Sequence, residues 1–127
     1  KVALLGAGVG VTPLRSLLEG MAYAPGEAVY VERFRHEPLF RAEVDAIAER
    51  RGARVLRLRG ARRADSSWLP ALNQPVDDLD ALLRWIPDIT ERDVYLCGPE
   101  AWTGLVRATL AAAGVPDEQV HVEHFAW

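Results

Sequence analysis

The sequence predicts an α/β fold: a three-layer, doubly wound sheet of five parallel strands in the order 3-2-1-4-5. Three observations carry this prediction. Strand-like and helix-like patterns alternate along the whole chain, as in a parallel sheet with helices on both faces. The 127 residues, 50% of them apolar, suit one domain with one packed core. Two glycine-bearing turns, Gly6 to Pro13 and Cys97 to Glu100, follow the first and fourth strands. The strand order reverses between those two strands, and ligands of such folds sit at the strand carboxyl ends beside that switch.

The elements follow in order. Residues 1–5 read as a buried strand. From Thr12 to about Tyr23, Leu14, Leu17, Leu18 and Met21 form the stripe of an amphipathic helix. Ala24-Pro25-Gly26 is a turn, and Ala28 to Val31 a second strand running into Glu32-Arg33-Phe34-Arg35. A helix over Phe40 to Arg51 stops at Gly52, and Arg54 to Arg59 is a short third strand. Gly60 to Val76 is one long irregular stretch, of the kind that is usually functional or mobile. Asp77 to Ile86 is helical, Asp93 to Cys97 is the fourth strand, and a helix runs from Gly98-Pro99-Glu100 through Ala113. Val120 to His124 is the fifth strand, before Phe125-Ala126-Trp127.

Composition excludes several classes. A net charge of −3 argues against a nucleic-acid surface. The single cysteine excludes an internal disulfide framework and fits a reducing compartment. No apolar stretch is long enough to span a bilayer, and the start has no signal-peptide pattern. These features read as cytoplasmic. The sequence starts at Lys1, inside a strand and without Met, which is expected of a piece of a longer protein.

The first turn, Gly6-Ala7-Gly8-Val9-Gly10-Val11-Thr12-Pro13, predicts a phosphate cradle. Alternate glycines let the backbone approach a ligand, and Thr12 as N-cap with Pro13 in the first helical position would aim free N–H groups at it. It is not the G-x-G-x-x-G dinucleotide fingerprint, because Val11 stands where the third glycine belongs. Taken alone, the turn also suits an S-adenosylmethionine methyltransferase, with Glu32 on the ribose. Cys97-Gly98-Pro99-Glu100 decides between them. A lone cysteine ending an apolar strand is by default a core residue, yet this one falls at the predicted crevice.

Leu5 to Arg15, Asp93 to Pro99, and Val120 to Phe125 together resemble the nicotinamide-nucleotide domain of the ferredoxin–NADP⁺ reductase superfamily. The match is nearest its bacterial ferric-reductase-like and oxygenase-reductase branch. The pieces occur in the family's order over nearly the whole chain. The resemblance implies that Gly6, Gly8, Gly10, Val11, Thr12 and Pro13 cradle the pyrophosphate and nicotinamide ribose. It implies that Cys97 lies by the nicotinamide ring, and that Gly98, Pro99 and Glu100 form the wall against which the nucleotide packs. It places Glu123 near the nicotinamide and flavin rings and Phe125, or Trp127, beside the flavin. Trp102 stands where the family usually carries methionine.

The resemblance leaves NADP(H) or NAD(H) as a charge question. Glu32 could serve the 2′-hydroxyl of NAD(H), but Arg33, Arg35, Arg62 and Arg63 follow strands two and three, and guanidinium groups favour the 2′-phosphate of NADP(H). A metal site is not expected: only His121 and Glu123 of the last strand share a face. His36 reads as a surface residue, and Trp68, Trp85 and Trp102 as packing residues.

The expected protein is therefore a flavin-dependent oxidoreductase. Residues 1–127 would be its NAD(P)H-binding domain, and FAD would be held by an upstream barrel. Electrons would pass on to haem, an iron–sulfur centre or ferric iron, in the cytoplasm or at the cytoplasmic face of a membrane. By itself, this domain should bind nucleotide without reductase turnover. The rivals are the methyltransferase and a non-catalytic electron-transfer or nucleotide-sensing subunit.

Overall fold

A computed structural model describes residues 1–124, with only the backbone of His124. The expected order holds: a five-stranded sheet, β3-β2-β1-β4-β5, every pair parallel. β1 is Val2–Ala7, β2 Ala28–Phe34, β3 Arg54–Arg59, β4 Asp93–Gly98 and β5 Val120–His124. The helices are α1 Val11–Gly20, α2 Arg41–Arg51, α3 Asp78–Trp85 and α4 Glu100–Ala112.

Strand alternation sends neighbouring residues to opposite faces. Leu4, Tyr30 and Cys97 pack with Val11, Leu14 and Leu18 of α1 and Val44 and Ile47 of α2. Ala3, Leu5, Val29, Val31 and Leu96 pack on the other face with Leu82 of α3 and Trp102, Val106 and Leu110 of α4. Both faces of β1 are covered, which is why Val2 to Leu5 reads as an unbroken apolar run.

Two local expectations change. α1 does not start on a Thr12 cap. Gly8–Gly10 forms a 3-10 turn that runs straight into α1, and neither carries a side-chain cap bond. Thr12 and Pro13 are thus the second and third residues of α1. Proline is tolerated there because the first-turn N–H groups lack intrahelical acceptors in any case. The segment 60–76 is not a loose loop either. Trp68 and Leu69 are fully buried in the α3/α4 layer. Trp68 Nε1 donates to Thr109 Oγ1 and Trp102 Nε1 donates to the Trp68 carbonyl, each at 3.0 Å, with the two rings edge to face. Trp102 therefore makes a core contact.

The amino edge of the sheet is tied by one buried guanidinium. Arg92 Nη1 donates to the carbonyls of Val2 and Glu27, both at 2.9 Å, and Nε donates to Asp88 at 2.8 Å. Lys1 reaches the same carboxylate at 3.0 Å.

Candidate functional site

The glycines of the first turn do different things. A Cβ on Gly6 would lie 2.7 Å from Leu14 and 2.9 Å from Val11, so Gly6 lets α1 settle on β1. A Cβ on Gly10 would lie 2.4 Å from the Cys97 carbonyl oxygen and 2.7 Å from Gly98 Cα. Gly10 thus lets the two turns touch across the β1/β4 switch. Gly8 has φ +59°, and a Cβ there would meet nothing within 4 Å. Its backbone is free for a ligand in a left-handed conformation that glycine adopts without cost. The helical N-terminus begins at this turn, so the anion-favouring end sits upstream of Thr12 and Pro13. Thr12 is exposed and Pro13 half-buried beside it, while Val11 is buried.

One row of the sheet crosses this edge. Arg57, Glu32, Gly6, Cys97 and Glu123 are successive register partners from β3 to β5. Cys97 is a free, buried thiol that burial, then the Glu123 carboxylate, push up to about 11. That shift favours the neutral thiol over the thiolate. Glu123 is exposed on the edge strand β5. Gly98 is buried, and its Cβ would press on Trp102 at 3.1 Å. Pro99 is the N-cap of α4, and Glu100, exposed, opens that helix. Phe125 and Trp127 lie outside the described residues.

A cavity of about 340 Å³ opens beside Gly8, lined by Val9, Glu32, Arg33, Phe34, Arg35, His36 and Leu39 among others. Val9 is 51% exposed at its mouth. Hollows of about 580 and 600 Å³ lie between α3 and α4 and at the amino edge, and one of about 470 Å³ adjoins the cavity beside Gly8 at the ends of β2 and β3, lined by Phe34, His36, Glu37, Pro38, Arg41 and Arg59. Arg33 Nη1 donates to the Gly60 carbonyl at 3.1 Å. Burial, then the charges of Arg35 and Arg62, lower its pKa, so three guanidinium groups gather here. Arg62 Nη1 donates to the Asp65 carbonyl at 3.1 Å. Arg63 is turned elsewhere: it bonds Ser67 Oγ, the Val76 carbonyl and Asp78 and helps hold the 60–76 segment.

Sequence reasoning did not foresee the state of Glu32. It is fully buried, Oε2 accepts the Leu39 N–H at 3.0 Å, and Oε1 has no partner among the described residues. Burial raises its pKa, against the Leu39 N–H and the Arg57 charge. An acid at a strand end looks solvent-facing in sequence, and only the return of residues 35–40 over the strand buries it.

The site is a glycine turn leading into a helix, joined to a second turn, beside a cavity lined by Arg33 and Arg35. Residues 4–108 match the oxidoreductase NAD-binding domain family. The chain belongs to that family. It is 31% identical over 125 residues to the ferredoxin reductase component of 3-ketosteroid-9-alpha-monooxygenase from Mycobacterium tuberculosis, covering 96% of this chain and 32% of that protein. It is 26% identical over 126 residues to a flavohemoprotein of Pseudomonas putida, covering 98% of this chain and 32% of the relative. The chain thus spans about a third of the length of these curated relatives. The flavohem-like FAD/NAD-binding domain of nitric oxide dioxygenase from Vibrio cholerae shares the fold, with a TM-score of 0.67 at 23% identity over 98% of this chain and 50% of that one. Membership of an oxidoreductase NAD-binding family removes the methyltransferase reading of the first turn. Among the described residues no helix is long and apolar enough to cross a membrane, and no His, Cys, Asp and Glu group has the makings of a metal site.

Proposed function

We propose that this chain binds NADPH at the β1/β4 switch and presents its nicotinamide to a flavin held by a separate domain of the same protein. The observation that carries the NADPH reading is the cluster of Arg33, Arg35 and Arg62 beside the cavity next to Gly8, where burial and then the charges of Arg35 and Arg62 lower the Arg33 pKa. Like charges are gathered at such cost where an anion is to be bound. A 2′-phosphate is such an anion, and NADH lacks it.

The donor set fits the nucleotide. The N–H groups from Gly8 to Gly10 and the open Gly8 backbone receive the pyrophosphate. Thr12 and Pro13 border it, and Val9 and Leu39 flank the adenosine. Gly98, Pro99 and Glu100 bound the nicotinamide end. Cys97 supplies an uncharged wall, and Glu123 stands at the next strand's edge. When bound, the nicotinamide would supply the hydride for the flavin. This chain's own part is to orient the donor and exclude water. In the whole protein, we place the electrons' next stop at haem, an iron–sulfur centre or ferric iron.

The test is equilibrium titration with NADPH and NADH. Arg33→Ala combined with Arg35→Ala should weaken NADPH by roughly a hundredfold, at about two charge-assisted bonds lost, and move NADH little. Equal losses for both nucleotides would show that these arginines shape the cavity without reading the phosphate.

A further inference from the structure

We infer that Glu32 is a positioning residue that holds the segment 35–40 as a strap over the nucleotide cavity; this rests on the cavity beside Gly8 being the adenosine site. The strap leaves β2 at Phe34, whose carbonyl accepts Gly60 N–H at 2.7 Å, and enters α2 at Arg41. Between those ends, the Leu39 N–H bonded to Glu32 Oε2 ties the middle of the strap to β2, while Phe40 at its far end packs on the α1/α2 layer under Arg15. The strap carries Arg35, His36 and Leu39 into the cavity lining. Its last residue, Phe40, has φ 54°, a left-handed conformation that costs a non-glycine residue and persists only where neighbours enforce it.

The energetics of Glu32 point the same way. A fully buried carboxylate with one oxygen unpartnered is unfavourable for folding. Its register partner Arg57 gives partial relief, but Arg57 Nη2 is already 2.8 Å from Asp45. A residue kept at a cost to stability beside a ligand cavity is explained by what it holds in place. The charge makes Oε2 a stronger acceptor for the Leu39 N–H than a neutral group. Glu32 acts on the nucleotide through the strap, and mainly on the part that Arg35 reads.

The experiment compares Glu32→Ala and Glu32→Gln with wild type in the intact protein that contains this chain. NADPH and NADH affinities, amide hydrogen exchange across 35–40 and the melting temperature are measured. Glu32→Ala should speed exchange at the strap, lower NADPH affinity about tenfold, and lower NADH affinity less, the loss of about one charge-assisted bond. Glu32→Gln keeps an acceptor for the Leu39 N–H and should recover most of the affinity. Unchanged exchange and affinity in Glu32→Ala would overturn the strap. A larger loss for NADH than for NADPH would also overturn it, because Glu32 would then read a ribose hydroxyl directly. If Glu32→Ala does not fold, slow exchange and full affinity in Glu32→Gln still support the strap, and fast exchange or lost affinity there overturns it. Wild type binding neither nucleotide would instead defeat the proposed function itself.

Discussion

Gly8 and Gly10 are two positions apart and identical in sequence, yet a methyl group should separate them cleanly. At Gly10 it meets backbone of Cys97 and Gly98 at 2.4–2.7 Å, and backbone cannot swing aside. Gly10→Ala should cost about 3 kcal/mol or more by overpacking, read as a fall in the denaturation midpoint. At Gly8 there is space, and the loss should be only about 1–2 kcal/mol from the left-handed backbone. Nucleotide affinity should nevertheless drop in Gly8→Ala if the pyrophosphate binds as proposed, since the methyl would stand in its approach. Three alternate glycines announce a turn in the sequence, but which of them faces a ligand and which faces another loop depends on β4, which is remote in the chain. Arg62 and Arg63 make the same point. Adjacent and chemically equal, they part because Arg62 stays near Arg33 while Arg63 is drawn to Asp78.

Among elements, the segment 60–76 departs most from its sequence. Its prolines, serines and charges read as a loop; Trp68 reads as a packing residue and is one, but the lack of regular periodicity hides its partners in α4. Trp68→Ala should cost about 3–5 kcal/mol, as a large cavity opens under α4 and the Thr109 hydroxyl loses its donor. A thermal melt would show a loss of the whole transition's midpoint, not a local softening of a surface loop. The start of α1 departs for a different reason. Thr12-Pro13 is a strong helix-start signal, but Gly8 turns the chain early enough for a 3-10 turn to precede it. The helices and strands themselves were legible, because their apolar spacing is set by the two faces of the sheet that cover them.

For the whole molecule, strand order was legible because alternation, right-handed crossovers and two special turns leave few alternatives. The electrostatic division of the sheet was not. The amino edge is satisfied: Arg92 hydrogen bonding holds the Asp88 carboxyl down at about 2, with Lys1 adding to it. The carboxyl edge holds the raised Glu32 and the clustered arginines. Acid titration should therefore act oppositely at the two edges. Asp88 has a lowered folded pKa, so it stabilises above its ordinary value of 3.8, and that contribution disappears as pH falls toward about 2. Glu32 has a raised folded pKa, so it costs stability above its ordinary value of 4.5 and the cost is relieved on acidification. Asp88→Asn should be less stable than wild type at pH 7 and converge with it near pH 2. Glu32→Gln should be more stable at pH 7 and converge below about pH 4.5. Denaturant midpoints against pH would show both, and parallel curves for either variant would contradict its assignment.

The contact of Gly10 with the Cys97 carbonyl has one more consequence. The stretch proposed to hold the pyrophosphate and the stretch proposed to face the nicotinamide rest directly on one another, backbone against backbone, so neither can move toward the other. If the nucleotide binds as proposed, its exchange falls to the opposite lip, residues 35–40, which is held by the Leu39 bond to Glu32 and by Phe40 on the core.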